Sequence, residues 1–451
     1  MFKNNCDLES AKADWILECA NEFKEYFMWE GINLRPAFIR LIRSLLNSKS
    51  ANKDWFEKKL ISKASTQDIL SDLDQFQKSR KSQLIKFLGL RYLKYKISLQ
   101  KQYSKKKPLI VAQHWKHVNY LKSSKLFDKL DPLWLVHNLS TAKEMGLDSD
   151  DLIVLQTKLF RTSNSNFPFN IIHDLAKELE LSLLRLRPSS IFVVEGDAPY
   201  HALLAEIGCK LDIPVYCFQW GILHHNKLRT AFSDMHFTKF LSWGSIFEDQ
   251  LKPFNPQQKF ISFGPLISNM LSNKRNKIIF LSQYVTNYIK KSDQMQFIKL
   301  ANVLAERFPD QVFLRPHQMD LTNKALLNLK DKKFHLLDQK ENLATQLKNC
   351  IIAISIGSSS LIEALYLGVI PISFNTTCLK NYPFPLVEQG VGFEFKSFDY
   401  ALEQITSLLN NQDEINSIQK KIDNNHNKIF SNIGLSQQKN YINTLCNDKT
   451  S

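Results

Sequence analysis

The hydrophobic pattern of the chain changes close to Pro108. Before it, apolar residues recur at helical spacing with few glycines, which predicts a helical region over residues 1–105. After it, short apolar runs alternate with helical stretches, which is typical of a parallel sheet with helices on its faces. The runs fall at 109–113, 133–136, 191–195, 215–219 and 237–241, and then at 278–282, 311–314, 334–337, 350–354 and 370–373.

A break near Gly264-Pro265, followed by the polar stretch 272–277, separates the two sets of runs. We therefore predict an α/β protein with two Rossmann-like domains that face a cleft, at 106–265 and 266–430, and a helical tail at 431–451. The Gly-x-Gly-x-x-Gly fingerprint and the P-loop pattern are both absent. Their absence argues against a dinucleotide oxidoreductase and a P-loop NTPase.

The net charge of +15 is concentrated in one segment. Residues 75–127 hold 14 Lys and Arg and no Asp or Glu. The basic stretch 78–107 favours an anionic membrane surface or a lipid-linked acceptor as partner, ahead of a solvated helix face. Nucleic acid ranks last, because no nucleic-acid-binding module is visible.

The expected cellular location rests on two sequence signals that are absent, a membrane span and a secretory signal. No apolar run reaches the ~18–20 residues of a membrane span, and the N-terminus lacks the apolar core of a secretory signal. The seven scattered cysteines indicate reduced thiols without metal-ligand spacing. We expect a cytoplasmic protein, peripheral on the inner face of the membrane, with no metal.

The most informative segment is the serine turn, which we define as residues 357–360. It follows the apolar run 350–354 and precedes a predicted helix at 361–367. Ser358, Ser359 and Ser360 at a helix N-terminus offer hydroxyls, backbone N–H groups and a favourable dipole to a phosphate. Glu363, just inside the helix, suits sugar hydroxyls. Simple helix capping is the alternative.

A second candidate segment, Arg315-Pro316-His317, also follows an apolar run of the second half. Arg315 and His317 are suited to phosphate because they supply positive charge and directed N–H groups. Carboxyl ends of parallel strands meet at one edge of a sheet, so both segments are expected at one site. A surface loop is the alternative.

Two acids end an apolar run of the first half, in what we call the acid loop, residues 195–197. Glu195 or Asp197 would act as a catalytic base, with a pKa raised by desolvation. The alternative for Asp197 is to cap the next helix. Asp234 is a third candidate acid.

The next run ends in Gln219, Gly221 and His224, which are possible substrate contacts. Gly221 would let a ligand approach the backbone closely. The adjacent His224 and His225 make a poor metal site without a third ligand.

Residues 190–375 resemble bacterial GT-B glycosyltransferases of surface-polysaccharide biosynthesis. The resemblance is carried by the order of segments 191–200, 208–215, 219–221, 241–244, 263–265, 315–317 and 358–368. It is similar in particular to the CMP-sugar-using Kdo and sialyl-type transferases, which carry an acidic element with glycine, a His-Pro element and a Ser-Ser element. Residues 1–105 show no resemblance.

The resemblance implies a glycosyltransferase that moves a sugar from a nucleotide-sugar donor, CMP-sugar favoured over UDP- or GDP-sugar, to a capsule or lipopolysaccharide acceptor. Arg315, His317 and the serine turn would hold the phosphate, Glu363 the ribose, and the tail helix would cross back to the first domain. Two alternatives on the same scaffold are a CDP-glycerol-type phosphotransferase and a sugar-nucleotide epimerase. A non-catalytic scaffold at a membrane surface is the third.

Overall fold

The computed structural model describes residues 5–447 apart from internal gaps at 47–52, 63, 76–106, 113–114, 137–151, 155–167, 222–224, 268–274, 284, 286–288, 318–331, 340, 378, 380–381, 383 and 432. Almost all of the basic stretch 78–107, and His224, lie outside the described residues. Among the helices that are described, none is long and apolar enough to cross a membrane.

The N-terminal region contains helices and one small hairpin. Its helices are α1 (Asn5–Glu22), a 3-10 turn (Lys24–Tyr26), α2 (Arg35–Leu46) and α3 (Lys53–Ile61), and residues 66–75 are helical as well. Its strands are β1 (Met28–Trp29) and β2 (Ile32–Asn33). The expectation of a purely helical region missed this hairpin, because strands of two residues leave no periodicity. Its turn, Glu30-Gly31, has φ of 47° and 81°, the conformation that tight hairpin turns require.

Seven strands form the first sheet, and every pairing between them is parallel. They are β3 (Leu109–Ala112), β4 (Leu133–Val136), β5 (Leu152–Val154), β6 (Ile191–Val194), β7 (Val215–Phe218), β8 (Lys239–Ser242) and β9 (Phe260–Ser262). Helices that connect or follow them are α4 (Trp115–Ser123), α5 (Phe169–Leu186), α6 (Pro199–Lys210), α7 (His225–Thr230) and α8 (Ser245–Leu251), which continues into a 3-10 turn (Lys252–Phe254).

Six strands form the second sheet, which is also parallel. They are β10 (Lys277–Leu281), β11 (Val312–Arg315), β12 (His335–Leu336), β13 (Cys350–Ser355), β14 (Ile370–Phe374) and β15 (Phe393–Phe395). The helices of this part are α9 (Lys291–Arg307), α10 (Leu343–Leu347), α11 (Ser360–Tyr366), α12 (Phe398–Leu409) and α13 (Gln412–Ile429), and α14 (Leu435–Asn447) ends the description.

Both sheets have the strand order of a doubly wound Rossmann fold. The first runs β5-β4-β3-β6-β7-β8-β9 and the second β12-β11-β10-β13-β14-β15. In each, the chain builds outward in one direction and then reverses, at β3/β6 and at β10/β13. Ligands of such sheets bind beyond the carboxyl ends of the strands at that reversal. We call the first sheet with its helices the first lobe and the second sheet with its helices the second lobe.

The N-terminal region packs on one face of the first sheet. Phe38 and Ile39 of α2 share a continuous core with Leu203 of α6 and Val193 of β6. All of these side chains are buried. The region is therefore part of the first lobe in space.

The tail helix α14 packs on the other face of the same sheet. Ile442 and Leu445 share a core with Phe192 and Phe218. The buried Gln438 donates from Nε2 to the carbonyl of Phe263 over 2.7 Å. The last described helix thus covers the first lobe. The domain boundaries drawn from the sequence stay a prediction.

Candidate functional site

A cleft of about 860 Å³ is lined by residues of both lobes. Its walls include all six residues predicted to bind the nucleotide, which are Arg315, His317, Ser358, Ser359, Ser360 and Glu363. The first lobe contributes Tyr120, Lys122, Ser124 and Trp220. The structure therefore brings the separated segments of the second half together in one interlobe space.

The cleft opens at the chain reversal of the second sheet. Ser282 and Gln283 follow β10, Ser358 follows β13, and all three line the cleft. These two strands are neighbours in the sheet. The site thus lies where doubly wound folds bind ligands.

The serine turn is anchored to the sheet by Ser355, the last residue of β13. Ser355 Oγ donates to the Leu281 carbonyl over 2.7 Å and accepts from the Ser358 N–H at 3.2 Å. Ser358 Oγ in turn accepts from the Ser360 N–H at 3.2 Å. Two of the three backbone N–H groups are therefore satisfied by serine hydroxyls, so the turn is partly a capping structure.

Ser359 differs from its neighbours. Within the part of the chain that the structure describes, neither its N–H nor its Oγ makes a hydrogen bond. Close packing fixes Gly357, the first residue of the turn, since a Cβ on it would lie 2.0 Å from the Tyr382 ring. Ser359 can therefore offer both its N–H and its hydroxyl to a ligand.

Arg315 lines the cleft but also holds the neighbouring loop. Its Nη1 donates to the Glu341 carbonyl at 3.0 Å and to the side chain of Gln346, and its Nη2 donates to the Gln339 carbonyl at 2.9 Å. Burial lowers the pKa of Arg315 from its ordinary value. Its positive charge acts on the cleft, while these contacts give it a structural role that the sequence did not indicate.

Glu363 lies between the two lobes. Burial, and then the charge of Glu363, raise the pKa of Tyr120 well above its ordinary value. The Tyr120 hydroxyl accepts a hydrogen bond from the N–H of Leu266 at 2.8 Å, in the segment that joins the lobes. Glu363 and Tyr120 therefore interact across the two lobes, and both line the cleft, as does His317.

Trp220 and Gly221 form the part of the first lobe that faces the serine turn. A Cβ on Gly221 would lie 3.6 Å from Ser359 Oγ, so the two lobes nearly touch here. Gln219 is buried: its Nε2 donates to the Gly221 carbonyl at 3.2 Å, and its Oε1 accepts from the Trp243 N–H at 2.8 Å. Gln219 is thereby engaged in shaping the loop.

The acid loop lies at the chain reversal of the first sheet, directly after β6. Lys227 Nζ bridges its two carboxylates, at 3.1 Å from Glu195 Oε1 and 3.2 Å from Asp197 Oδ2. His117, which follows β3, has its Nε2 4.0 Å from Glu195 Oε2. Neither acid lines the cleft, but the His117 ring contacts that of Trp220 at 4.4 Å between centroids, and Trp220 does.

The pKa expected for the acid loop is wrong for Asp197. Burial alone would raise the pKa of this carboxyl, but the charges of Lys227 and Arg43 outweigh it and hold the pKa below its ordinary value. Arg43 Nη1 lies 3.8 Å from Asp197 Oδ2. For Lys227, burial lowers the pKa and the two carboxylates outweigh that effect, so its pKa is raised. Asp197 is a carboxylate at neutral pH.

Helix α2 of the N-terminal region supplies further cations to this cluster. Arg40 is 1% exposed. Its Nε donates to the Gly196 carbonyl at 3.3 Å and its Nη2 to the Ser233 carbonyl at 3.5 Å. Burial lowers its pKa to about 10, while Asp197 and Asp234 oppose that shift. Asp234, the third candidate acid, forms an ion pair with Arg35.

Sequence reasoning missed Tyr120, Trp220 and the arginines of α2. Trp220 lies within segment 219–221, which helps carry the resemblance, so its signal was present but was not used. Tyr120 and Arg40 are ordinary helical residues in sequence, and only the packing of distant segments gives them a place at the site. No group of three His, Cys, Asp or Glu side chains suited to a metal occurs among the described residues.

No family model and no curated protein matches this chain. Solved structures do. A candidate UDP-N-acetylglucosamine 2-epimerase from Listeria monocytogenes is 11% identical with a TM-score of 0.53, and the match covers 76% of this chain and 96% of that one. UDP-GlcNAc 2-epimerases from Neisseria meningitidis, bound to UDP-GlcNAc, and from Methanocaldococcus jannaschii, bound to UDP-GlcNAc and UDP, are 12% and 14% identical. Both have TM-scores of 0.51, and each match covers 75% of this chain and 99% of the other.

These likenesses and the two parallel sheets confirm the predicted α/β GT-B fold. At this identity they show the fold alone, so the activity has to be argued from the site.

Proposed function

We propose that this chain is a sugar-nucleotide-dependent enzyme, and that it transfers the sugar to an acceptor as a glycosyltransferase. One observation carries the proposal: two separate segments of the second lobe, each predicted to bind nucleotide, line one cleft at the reversal of a doubly wound sheet. The cleft volume of about 860 Å³ lies toward the upper end of the ~300–1,000 Å³ of ligand pockets, which suits a ligand as large as a sugar nucleotide.

The chemistry follows from the two sides of the cleft. An acceptor hydroxyl attacks the anomeric carbon of the donor, and the bond from that carbon to the phosphate oxygen breaks. The departing nucleotide carries negative charge, which the unused donors of Ser359, the guanidinium of Arg315 and a ring N–H of His317 would offset. The hydroxyl proton would pass to Glu195, which does not itself line the cleft but lies 4.0 Å from His117, whose ring contacts Trp220 of the cleft wall. Asp197 would hold Lys227 in place beside it.

The nucleotide that we favour is a uridine diphosphate. Two neighbours with TM-scores of 0.51 are described as bound to UDP-GlcNAc, whereas none of the comparisons supports the CMP preference that the resemblance implied. The surface-glycan acceptor and the membrane contact through 78–107 stay predictions.

The test is a thermal-shift screen with UDP, CMP, GDP and CDP. A ligand that binds only the folded state raises the unfolding midpoint. We expect UDP to give the largest shift, and we expect Ser359→Ala and His317→Ala to reduce it. Equal shifts in wild type and both variants would show that the nucleotide does not bind at this cleft.

An epimerase is the second candidate, since the reported structural neighbours are named as UDP-GlcNAc 2-epimerases. Incubation with UDP-GlcNAc in the absence of acceptor separates the two. An epimerase changes the configuration of the sugar and leaves it on UDP, whereas a transferase leaves the donor intact until an acceptor is added.

The two remaining alternatives have signatures of their own. A CDP-glycerol-type phosphotransferase would release CMP and form a phosphodiester. A non-catalytic scaffold would keep its cellular role in Glu195→Ala, while the transferase would lose turnover and keep nucleotide binding.

A further inference from the structure

Trp220 packs against the core on one face of the first sheet and also lines the cleft. It directly precedes Gly221 and follows β7, and its side chain is half-buried. Within the described part of the chain, its indole N–H makes no hydrogen bond. An indole is amphipathic, with an apolar ring and one N–H donor, so a half-buried indole in a cleft wall whose N–H is unused by the described residues can offer both to a ligand.

Two rings from α4 hold the indole in place. His117 contacts it at 4.4 Å between centroids with an interplanar angle of 61°, and Tyr120 at 4.9 Å and 83°. His117 is 1% exposed, and the Tyr120 hydroxyl is bonded to Leu266. Because both supports are themselves fixed, the orientation of the indole is set before any ligand arrives.

The position of Trp220 decides which part of the ligand it meets. Its neighbour Gly221 lies 3.6 Å, measured to an added Cβ, from Ser359 Oγ. Ser359 is the residue that we assign to the phosphate. The group bonded to the phosphate on the side away from the nucleoside is the sugar, so the sugar ring would lie beside the indole.

We propose that Trp220 is the recognition residue for the donor sugar, with its aromatic surface against the C–H groups of a pyranose ring and its N–H donating to a ring hydroxyl. A pyranose suits this wall because it has an apolar C–H face for contact with the indole and hydroxyls for the N–H. The inference rests on the proposed function, since it places the phosphate at the serine turn.

The test compares the affinities of UDP and UDP-GlcNAc, and of CMP and CMP-N-acetylneuraminic acid, for wild type and variants by calorimetry. In Trp220→Ala we expect the ratio of the sugar nucleotide's Kd to the free nucleotide's Kd to rise about tenfold. Trp220→Phe keeps the ring and loses the N–H, so its ratio should rise about threefold. Free nucleotide should bind all variants equally.

Trp55→Phe is the matched control, because Trp55 lies in α3 and its indole donates to Asp72 over 2.8 Å. Its ratio should equal that of wild type. Fluorescence gives a second measurement that a purely structural role would not change. The sugar nucleotide should quench emission more than the free nucleotide does in wild type and in Trp55→Phe, and this difference should vanish in Trp220→Phe.

Three results would overturn the inference. One is an unchanged ratio in Trp220→Ala, which is also the result expected if Trp220 contacts only the acceptor. Another is an equal loss of affinity for nucleotide and sugar nucleotide. Wild type that binds none of the four probes would overturn the proposed function itself, and this inference with it.

Discussion

The acid loop of the first lobe and the serine turn of the second lobe occupy equivalent places, each near the chain reversal of its sheet. In the acid loop, the carboxylates of Glu195 and Asp197 are both paired with Lys227, and Arg43 adds to the second. In the serine turn, Ser359 keeps donors that no described residue uses. One reversal point is closed by the protein's own charges, and the other is open to a ligand.

The difference shows what each set of polar groups is built to do. A buried carboxylate needs a partner at all times, because an uncompensated buried charge costs several kcal/mol. A hydroxyl and an N–H at a cleft wall can be left to water until a phosphate arrives. Mutations of Asp197 and of the cations around it are therefore expected to change stability, and mutations of the serine turn are expected to change binding.

The largest effect is expected from Arg40→Met. This change removes a buried cation that donates to three carbonyls and balances the charges of Asp197 and Asp234. It should lower the free energy of unfolding by about 3–5 kcal/mol, as measured by urea denaturation.

The control for Arg40 is Arg229→Ala, because Arg229 pairs with an Asp14 that is 52% exposed. It should cost less than about 1 kcal/mol. If both variants lose the same small amount of unfolding free energy, the ion pairs around the acid loop do not stabilise the protein.

The next largest effect is expected in the serine turn. Ser359→Ala should weaken nucleotide binding by about tenfold to a hundredfold, as expected when a hydrogen bond to a charged group is lost. The unfolding midpoint without ligand should not change, because Ser359 Oγ makes no hydrogen bond with any described residue. Calorimetry and a thermal melt measure the two quantities.

Ser182→Ala serves as the control for Ser359, since Ser182 Oγ donates to the Glu178 carbonyl on α5, within the first lobe. Its nucleotide affinity should equal that of wild type. A Ser359→Ala variant that melts earlier but binds normally would reverse the assignment of binding to this turn.

The smallest effect concerns pH. The folded-state pKa of Asp197 is depressed, so its ion pairs stabilise the protein above the ordinary pKa of 3.8 and lose that contribution as pH falls through the folded-state value. The stability difference between wild type and Asp197→Asn should be constant from about pH 5 to about pH 9 and shrink in acid. A difference that titrates near neutral pH would instead mean a raised pKa.

Much of this architecture could be predicted, because parallel strands are buried on both faces and leave clear apolar runs. The predicted run 133–136 coincides with β4, and the run 350–354 differs from β13 by one residue. The strands β5, β9 and β15 were missed, because three residues are too few for such a pattern.

The candidate site was predictable where it depends on strand ends alone. The serine turn and Arg315 follow directly from the rule that ligands bind at the carboxyl ends of parallel strands. The partners of the acid loop do not, because Lys227 and Arg43 come from helices whose docking only the tertiary structure determines. The wrong expectation for the pKa of Asp197 has this origin: desolvation can be guessed from sequence, but neighbouring charges cannot.

The tail helix α14 bears on how this protein can be divided. Its Ile442 and Leu445 cover Phe192 and Phe218 of the first sheet, and its Gln438 binds three successive carbonyls, at 263–265. A fragment that stops at residue 265 would expose that apolar face to solvent. To express the first lobe by itself, residues 435–447 would therefore have to be fused to it.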